Sequence, residues 1–217
     1  MKKKINNAIV FDFDGVILNS HLVKTKAFYN TFKKFGKNKA LKAKNVHLKN
    51  AGISRYIKFK IILKKVLKIQ YSKKKIDQLQ NSFSFYAKNR IKKLKVNKTL
   101  IKYFKKNYKK YNLYISTGTP EKEIINLTKE KKIYKYFIKV YGSPRKKTHH
   151  LKIIKKFNDK VIFIGDSKED FLAAKKNKIG FIARINSESE NFFKSKKINK
   201  LYNFKNLNHK IKRILSI

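Results

Sequence analysis

The sequence predicts an α/β fold, a parallel sheet covered by helices on both faces and interrupted after its first strand by an all-helical segment. Three observations carry that expectation. A continuous apolar run at residues 8–11 is closed by Asp12 and Gly15, as a buried strand is. From about residue 20 to 108 the apolar spacing turns helical. After residue 110, short apolar runs alternate regularly with amphipathic ones, the order that builds a parallel sheet.

In the helical stretch Phe28, Phe32 and Phe35 share one face, as do Phe59, Leu63 and Val66, and then Ile76, Leu79, Phe83, Ala87 and Leu94. These stripes read as core. "FGKNK" (35–39) and "KNAGIS" (49–54) are the breaks between helices. Beyond residue 110, "LYIS" (113–116) is a strand, and the helix "PEKEIINLTKEKK" opens on Pro120 with early acids, as helix starts prefer. "FIKVYG" (137–142), "VIFIG" (161–165) and "IGFIAR" (179–184) are strands, separated by helices in "THHLKIIKKF" (148–157) and "SKEDFLAAKKN" (167–177). Residues from 186 on are polar and less patterned, with a closing helix in "NLNHKIKRIL" (206–215). The expected division is a core of 1–19 and 96–217 with a helical insertion of 20–95.

The chain of 217 residues carries 58 lysines and arginines against 12 acids, a net charge of +46. Such a surplus attracts phosphate backbones. Only five of these residues are arginine, however, and the lysines run the whole length rather than forming one stripe. Lys, Asn and Ile are encoded by A- and T-rich codons, so base composition accounts for the surplus, and nucleic-acid binding beyond nonspecific attraction is not expected. The field would still draw small phosphorylated anions. The chain has no cysteine, which excludes disulfides and thiolate metal sites and fits a reducing compartment. The apolar stretch of "MKKKINNAIVFDFD" is too short for a secretory signal, and no run of about twenty apolar residues is present. A cytoplasmic location is expected.

Four of the six aspartates fall in two short stretches. Asp12 and Asp14 lie just past the first strand, and Asp166 and Asp170 just past another, in "FIGDSKED". Thr117 follows "LYIS" in the same way. In open parallel sheets ligands bind beyond the carboxyl ends of the strands, so three strand ends aim polar groups at one rim. Clustered carboxylates raise one another's pKa unless a cation holds them. A hard cation with oxygen ligands, such as Mg²⁺ with carboxylates, water and a substrate phosphate, would resolve the conflict.

These stretches resemble the haloacid dehalogenase (HAD) superfamily, mostly phosphatases and phosphomutases. "DFDGV" (12–16) looks like its first motif, "ISTGTP" (115–120) its second, "GSPRKK" (142–147) the neighbourhood of its third, and "IGDSKED" (164–170) its fourth. The resemblance implies a Rossmann-like core with a helical cap and a Mg²⁺-dependent phosphatase that hydrolyses a small phosphorylated metabolite through an aspartyl-phosphate. Asp12 would be the nucleophile and Asp14 the acid and base, each also a metal ligand, Asp14 through its backbone carbonyl. Thr117, with Gly118 beside it, would bind a phosphoryl oxygen, and Lys147 would neutralise charge on Asp12 and the phosphoryl group. Asp166 would ligate Mg²⁺, and Asp170 would hold the metal or its water. Ser116 in place of Thr117, and Lys146 in place of Lys147, stay open.

Spacing narrows the branch. The first motif precedes the second by 105 residues, room for a helical cap, whereas only 30 separate the second from the third. That plan is similar to phosphoglycolate-phosphatase-like and β-phosphoglucomutase-like proteins, whose cap would close over a small substrate and exclude water. Asp14 argues against the dehalogenases, which lack an acid there. A phosphomutase shares all four motifs and stays open, as does the oligomeric state. A nucleic-acid-binding protein on a degenerate scaffold is disfavoured by the intact acids. In "AGISRYIKF", Arg55 follows a helix break, and its planar fork suits a carboxylate or second phosphate of the substrate. His149 and His150 are expected to face solvent, because adjacent helical residues cannot both reach one site.

Overall fold

The computed structural model describes residues 6–216. Six strands, β1 (Asn7–Phe11), β2 (Asn112–Pro120), β3 (Lys139–Ser143), β4 (Lys160–Gly165), β5 (Gly180–Arg184) and β6 (Asn199–Leu201), form one sheet in the order β3-β2-β1-β4-β5-β6. Every neighbouring pair is parallel. The chain divides into two compact units, one running up to Leu18 and resuming at Lys95, the other spanning Asn19–Leu94.

The first unit holds the sheet and the helices α5 (Lys98–Asn107), α6 (Glu121–Glu130), α7 (Lys147–Lys156), α8 (Lys168–Lys176), α9 (Glu190–Phe193) and α10 (Leu207–Leu215). A parallel sheet buries both faces, which is why β1 reads as an unbroken apolar run rather than an alternating one. Phe11 turns to one face and meets Phe104 of α5 edge-on, with ring centroids 5.2 Å apart. Ala8 and Val10 turn to the other, into a cluster with Leu151 and Ile154 of α7, Phe163 of β4, and Ala173 and Ala174 of α8. α6 follows Pro120 as its opening residues predict, with Glu121 and Glu123 in its first turn.

Two elements were not legible in the polar stretch after residue 186, the four-residue α9 and the strand β6. β6 is three residues long, pairs only with β5 and is composed of Asn199, Lys200 and Leu201. A short, lysine-bearing strand is how an exposed sheet edge is kept from pairing with other chains, and it leaves no apolar periodicity to read. β3 starts two residues later than the run "FIKVYG" suggests. Phe137 instead closes a 3₁₀ turn, Tyr134–Tyr136, and packs against Phe104 with centroids 5.0 Å apart.

The second unit contains α1 (His21–Lys33), α2 (Lys37–Lys49), α3 (Arg55–Ile62), continued by a π turn over Leu63–Leu67, and α4 (Lys73–Lys93). Its core is aromatic: Phe28 lies 5.1 Å from Phe83 and 5.5 Å from Phe59, centroid to centroid. Three expected core positions shift. The π turn is wider than an α turn, so Leu67 rather than Val66 follows Leu63 into the interior. α4 ends at Lys93, and its last buried position is Ile91, not Leu94. Phe35 lies past the end of α1, only half-buried, although it still leans on Phe32 at 6.1 Å. Among the described residues no helix is long and apolar enough to cross a membrane.

Candidate active site

The order of the strands reverses between β1 and β4: the chain leaves β1 for β2 on one side, while β4 sits on the other. A crevice at the carboxyl ends of such a pair is where open parallel sheets bind ligands. Asp12 follows β1 and Asp166 follows β4. The Asp12 N–H donates to the Ile164 carbonyl at 2.8 Å, which extends the ladder one residue past the strand. Asp12, Asp166 and Asp170 are all buried, and each offers a carboxylate oxygen within 4.8 Å of the others.

After Asp12 the chain turns sharply. Gly15 has φ 81°, the left-handed region that favours glycine, and its N–H donates to the Leu18 carbonyl at 2.8 Å. This turn carries the Asp14 carboxylate to Thr119, whose Oγ1 donates to Asp14 Oδ2 at 2.9 Å. Asp14 thus stands apart from the three-carboxylate cluster on its side-chain oxygens.

Lys147 opens α7 with its ammonium buried between two acids. Its Nζ lies 3.0 Å from Asp12 Oδ1 and donates to Asp170 Oδ1 at 2.6 Å. Burial by itself would lower the lysine's pKa, but the charges of Asp12 and Asp170 outweigh it and hold the ammonium above its ordinary value. Asp12 is pushed well above the usual carboxylate range, foremost by burial and further by Asp170, Asp166 and Asp14, with Lys147 pulling the other way. Carboxylates outnumber the cation here, and a divalent ion would offset that imbalance.

Asp170 is anchored from its own helix. The Ser167 N–H donates to Asp170 Oδ2 at 3.0 Å and the Ser167 hydroxyl at 2.6 Å, while Ser167 Oγ accepts the Asp170 N–H at 3.2 Å. This capping box starts α8. Asp166 accepts from Asn186 Nδ2 at 2.7 Å. The glycine before Asp166 is required by contact: a Cβ on Gly165 would lie 2.4 Å from Asp170 Cβ. Gly165→Ala is therefore expected to displace Asp170, lowering stability by about 1–3 kcal/mol. A thermal melt checks this, and an unchanged melting temperature would refute the contact argument.

β2 pairs regularly with β3 through Ser116 and rejoins it only at Pro120. The irregular stretch between frees Thr117, Gly118 and Thr119 from the ladder and re-aims the two threonine side chains, as bulges do beside functional sites. Thr117 is buried and its Oγ1 accepts the Thr119 N–H at 3.2 Å, linking it to the Asp14 contact; Gly118 is half-buried. Ser116, the open alternative, points to the opposite strand face and sits 3.0 Å from His150 Nδ1. Lys146, the other alternative, is the exposed N-cap of α7, and Lys147 is the lysine that reaches the acids.

One expectation is overturned. His149 is exposed, but His150 is fully buried. α7 begins at Lys147, and a residue three positions on returns to nearly the same helix face, whereas one two positions on faces away. The spacing of Lys147, His150, Leu151 and Ile154 was the signal. Thr119 and Asn186 were not singled out from sequence either, because nothing local marks a hydroxyl or amide as the partner of a distant carboxylate; Ser167 was also missed, although its spacing of three from Asp170 is the local signal of a capping box. In the helical unit Arg55 is buried at the start of α3, its guanidinium carbon 4.8 Å from the Phe83 ring centroid.

Residues 9–184 match the haloacid dehalogenase-like hydrolase family, and the chain belongs to that family. No curated protein matches it in sequence. Among solved structures it is similar to a haloacid dehalogenase-like family hydrolase from Streptococcus pneumoniae, with 22% identity and a TM-score of 0.66 over 94% of this chain and 98% of that one. A predicted phosphoglycolate phosphatase from Haemophilus somnus gives 15% identity and a TM-score of 0.71, covering 97% and 99%. A HAD-hydrolase from Bacillus subtilis, bound to magnesium and showing interdomain movement, gives 14% and 0.65, covering 99% and 100%. At these identities the likeness is one of fold.

Proposed function

We propose that this protein is a Mg²⁺-dependent phosphatase of small phosphorylated metabolites, working in the cytoplasm through an aspartyl-phosphate on Asp12. The observation that carries this reading is the arrangement of the acids at the strand ends: Asp12 meets Lys147 inside the buried cluster, while Asp14, two residues on, accepts from the Thr119 hydroxyl. A nucleophile gains from a neighbouring cation, and an acid/base from a hydrogen bond that orients it.

The donor set suits Mg²⁺, a hard ion that takes oxygen ligands and one or two carboxylates. Asp12 and Asp166 would hold it, with the Asp14 carbonyl, and Asp170, both of whose oxygens are already engaged, would orient its water. When bound, the ion supplies charge compensation for the phosphoryl oxygens. That a HAD-hydrolase of similar fold is bound to magnesium supports the choice of this ion.

The chain's own residues then do the following. Asp12 attacks phosphorus, forming a carboxylate–phosphorus bond as the ester oxygen departs. Asp14 gives its proton to that oxygen, then takes one from the water that attacks the phosphoryl-enzyme, releasing phosphate and restoring Asp12. Thr117 donates a hydrogen bond to a phosphoryl oxygen, with the Gly118 backbone beside it, and Lys147 offsets charge on both partners throughout. Arg55 is assigned to an anionic group of the substrate remote from the phosphoryl group.

The test is phosphate release from sugar phosphates, phosphoglycolate and nucleotides, in Mg²⁺ and in EDTA. Release in Mg²⁺ alone is expected. On the substrate so identified, Arg55→Ala should raise KM by about 10- to 100-fold, the worth of a charged hydrogen bond. A folded protein that binds Mg²⁺ and releases phosphate from nothing overturns the hydrolytic reading.

A further inference from the structure

The mechanism above makes no use of His150, which is the most deeply buried histidine of the described chain and is not on the surface. It joins two elements. On one side its Nδ1 lies 3.0 Å from the Ser116 hydroxyl, and Ser116 immediately precedes Thr117 on β2. On the other it belongs to α7, three residues after Lys147. Its ring stacks on Tyr141 of β3 at 5.2 Å and 20°, and Tyr141 in turn stacks on Tyr114 of β2 at 6.4 Å.

Both elements need such a tie. The β2–β3 ladder loses its regular register directly after Ser116, so the backbone that carries Thr117 and Gly118 leaves its main-chain tether at that residue. α7 begins without a side-chain cap on its first turn, so the start of the helix, where Lys147 sits, is not fixed by capping. A hydrogen bond from the last regularly paired residue of β2 to the first inward-facing turn of α7 supplies both constraints at once. We propose that His150 and Ser116 form a positioning pair that locks α7 to β2, so that Lys147 and Thr117 hold one phosphoryl group between them. The inference rests on the phosphatase reading for its consequence in turnover, and on geometry alone for the lock.

The chemistry of the ring suits the task. Burial foremost, then the charge of Lys147, lowers its pKa to about 4, so the imidazole is neutral at physiological pH. A neutral ring offers one donor and one acceptor, and it sets no second positive charge beside Lys147. Phenylalanine could fill the same space and stack on Tyr141, but it could not bond Ser116.

The test uses the full chain in four variants: His150→Phe, Ser116→Ala, the double substitution and the conservative His150→Asn. His150→Phe and Ser116→Ala are each expected to lower kcat by about 10- to 100-fold, the scale of a misplacement near 1 Å, with KM within about threefold. The double variant should lose no more than either single one, because the pair acts as a unit. His150→Asn, whose amide can bond a hydroxyl, should recover part of the loss. The ¹⁵N resonance of the Lys147 ammonium, assigned with Lys147→Met, reads the same lock without turnover and should shift in both single variants. Unchanged kcat and an unchanged resonance in folded Ser116→Ala, or additive losses in the double variant, overturn the proposal. A resonance that shifts in both single variants, when the wild-type protein hydrolyses nothing, retains the lock and overturns the phosphatase reading instead.

Discussion

Asp12→Asn is expected to reduce phosphate release by about 10⁴- to 10⁶-fold, the scale seen when a covalent nucleophile is removed, while the protein stays folded. An amide oxygen has the size of the carboxylate oxygen and can still accept from the Lys147 ammonium, 3.0 Å away in the native site. It cannot form a stable ester with phosphorus. The substitution also removes one negative charge from a place where burial and three other acids already disfavour it. The metal-free variant should therefore melt no lower than the wild type, and Mg²⁺ should raise its melting temperature less. Steady-state turnover with melts in EDTA and in Mg²⁺ decides the matter. Residual activity within tenfold of wild type would remove Asp12 from the nucleophile's role, and a collapsed melt would make the kinetic result a folding effect.

Lys147→Met is expected to act on stability and catalysis together. It removes the ammonium between Asp12 and Asp170 and leaves two buried carboxylates facing each other. Breaking a buried ion pair costs about 3–5 kcal/mol, and the lower end is expected here, since Asp12, already shifted upward, can take a proton. In a chain of this size that is a fall of roughly 6–12 °C in EDTA. The deficit should grow as the pH rises through the folded-state pKa of Asp12. The folded state then has to give up a proton that the unfolded chain released at lower pH, so stability falls with rising pH. Mg²⁺ should restore much of the melting temperature but not the rate, which loses a charge-stabilising donor and falls about 10²- to 10³-fold. An unchanged melt in EDTA would mean that the lysine does not hold the acids together.

The parts of this molecule that were legible in its sequence are those whose physics is local. β1 could be read because an unbroken apolar run has few alternatives, and the acids because carboxylates are scarce in so basic a chain. The reasons for the glycines beside those acids came only with the fold: Gly15 has a left-handed backbone, and Gly165 lies in close contact with Asp170. Lys147 had no such contrast. Lysine is everywhere in this sequence, and only the fold shows which one lies between Asp12 and Asp170. Thr119 and Asn186 were hidden for a related reason: they meet Asp14 and Asp166 across 105 and 20 residues of chain, through the order of the strands rather than through any short motif. His150 was misread because its neighbour His149 drew the same judgement, although helix geometry sends the two in different directions.

Asp170 has a consequence for how this protein tolerates change. The same carboxylate closes the capping box of α8, through Ser167, and grips the Lys147 ammonium with its other oxygen. Loss of the acid would unpick a helix start and take from a buried lysine one of its two acidic partners in a single step. In a saturation-mutagenesis screen, cellular abundance and enzymatic fitness should therefore fall together at position 170 and be indistinguishable there. At position 166, whose carboxylate is bonded to the Asn186 amide and caps no helix, the two phenotypes should come apart, and comparison of the two positions separates selection for folding from selection for chemistry.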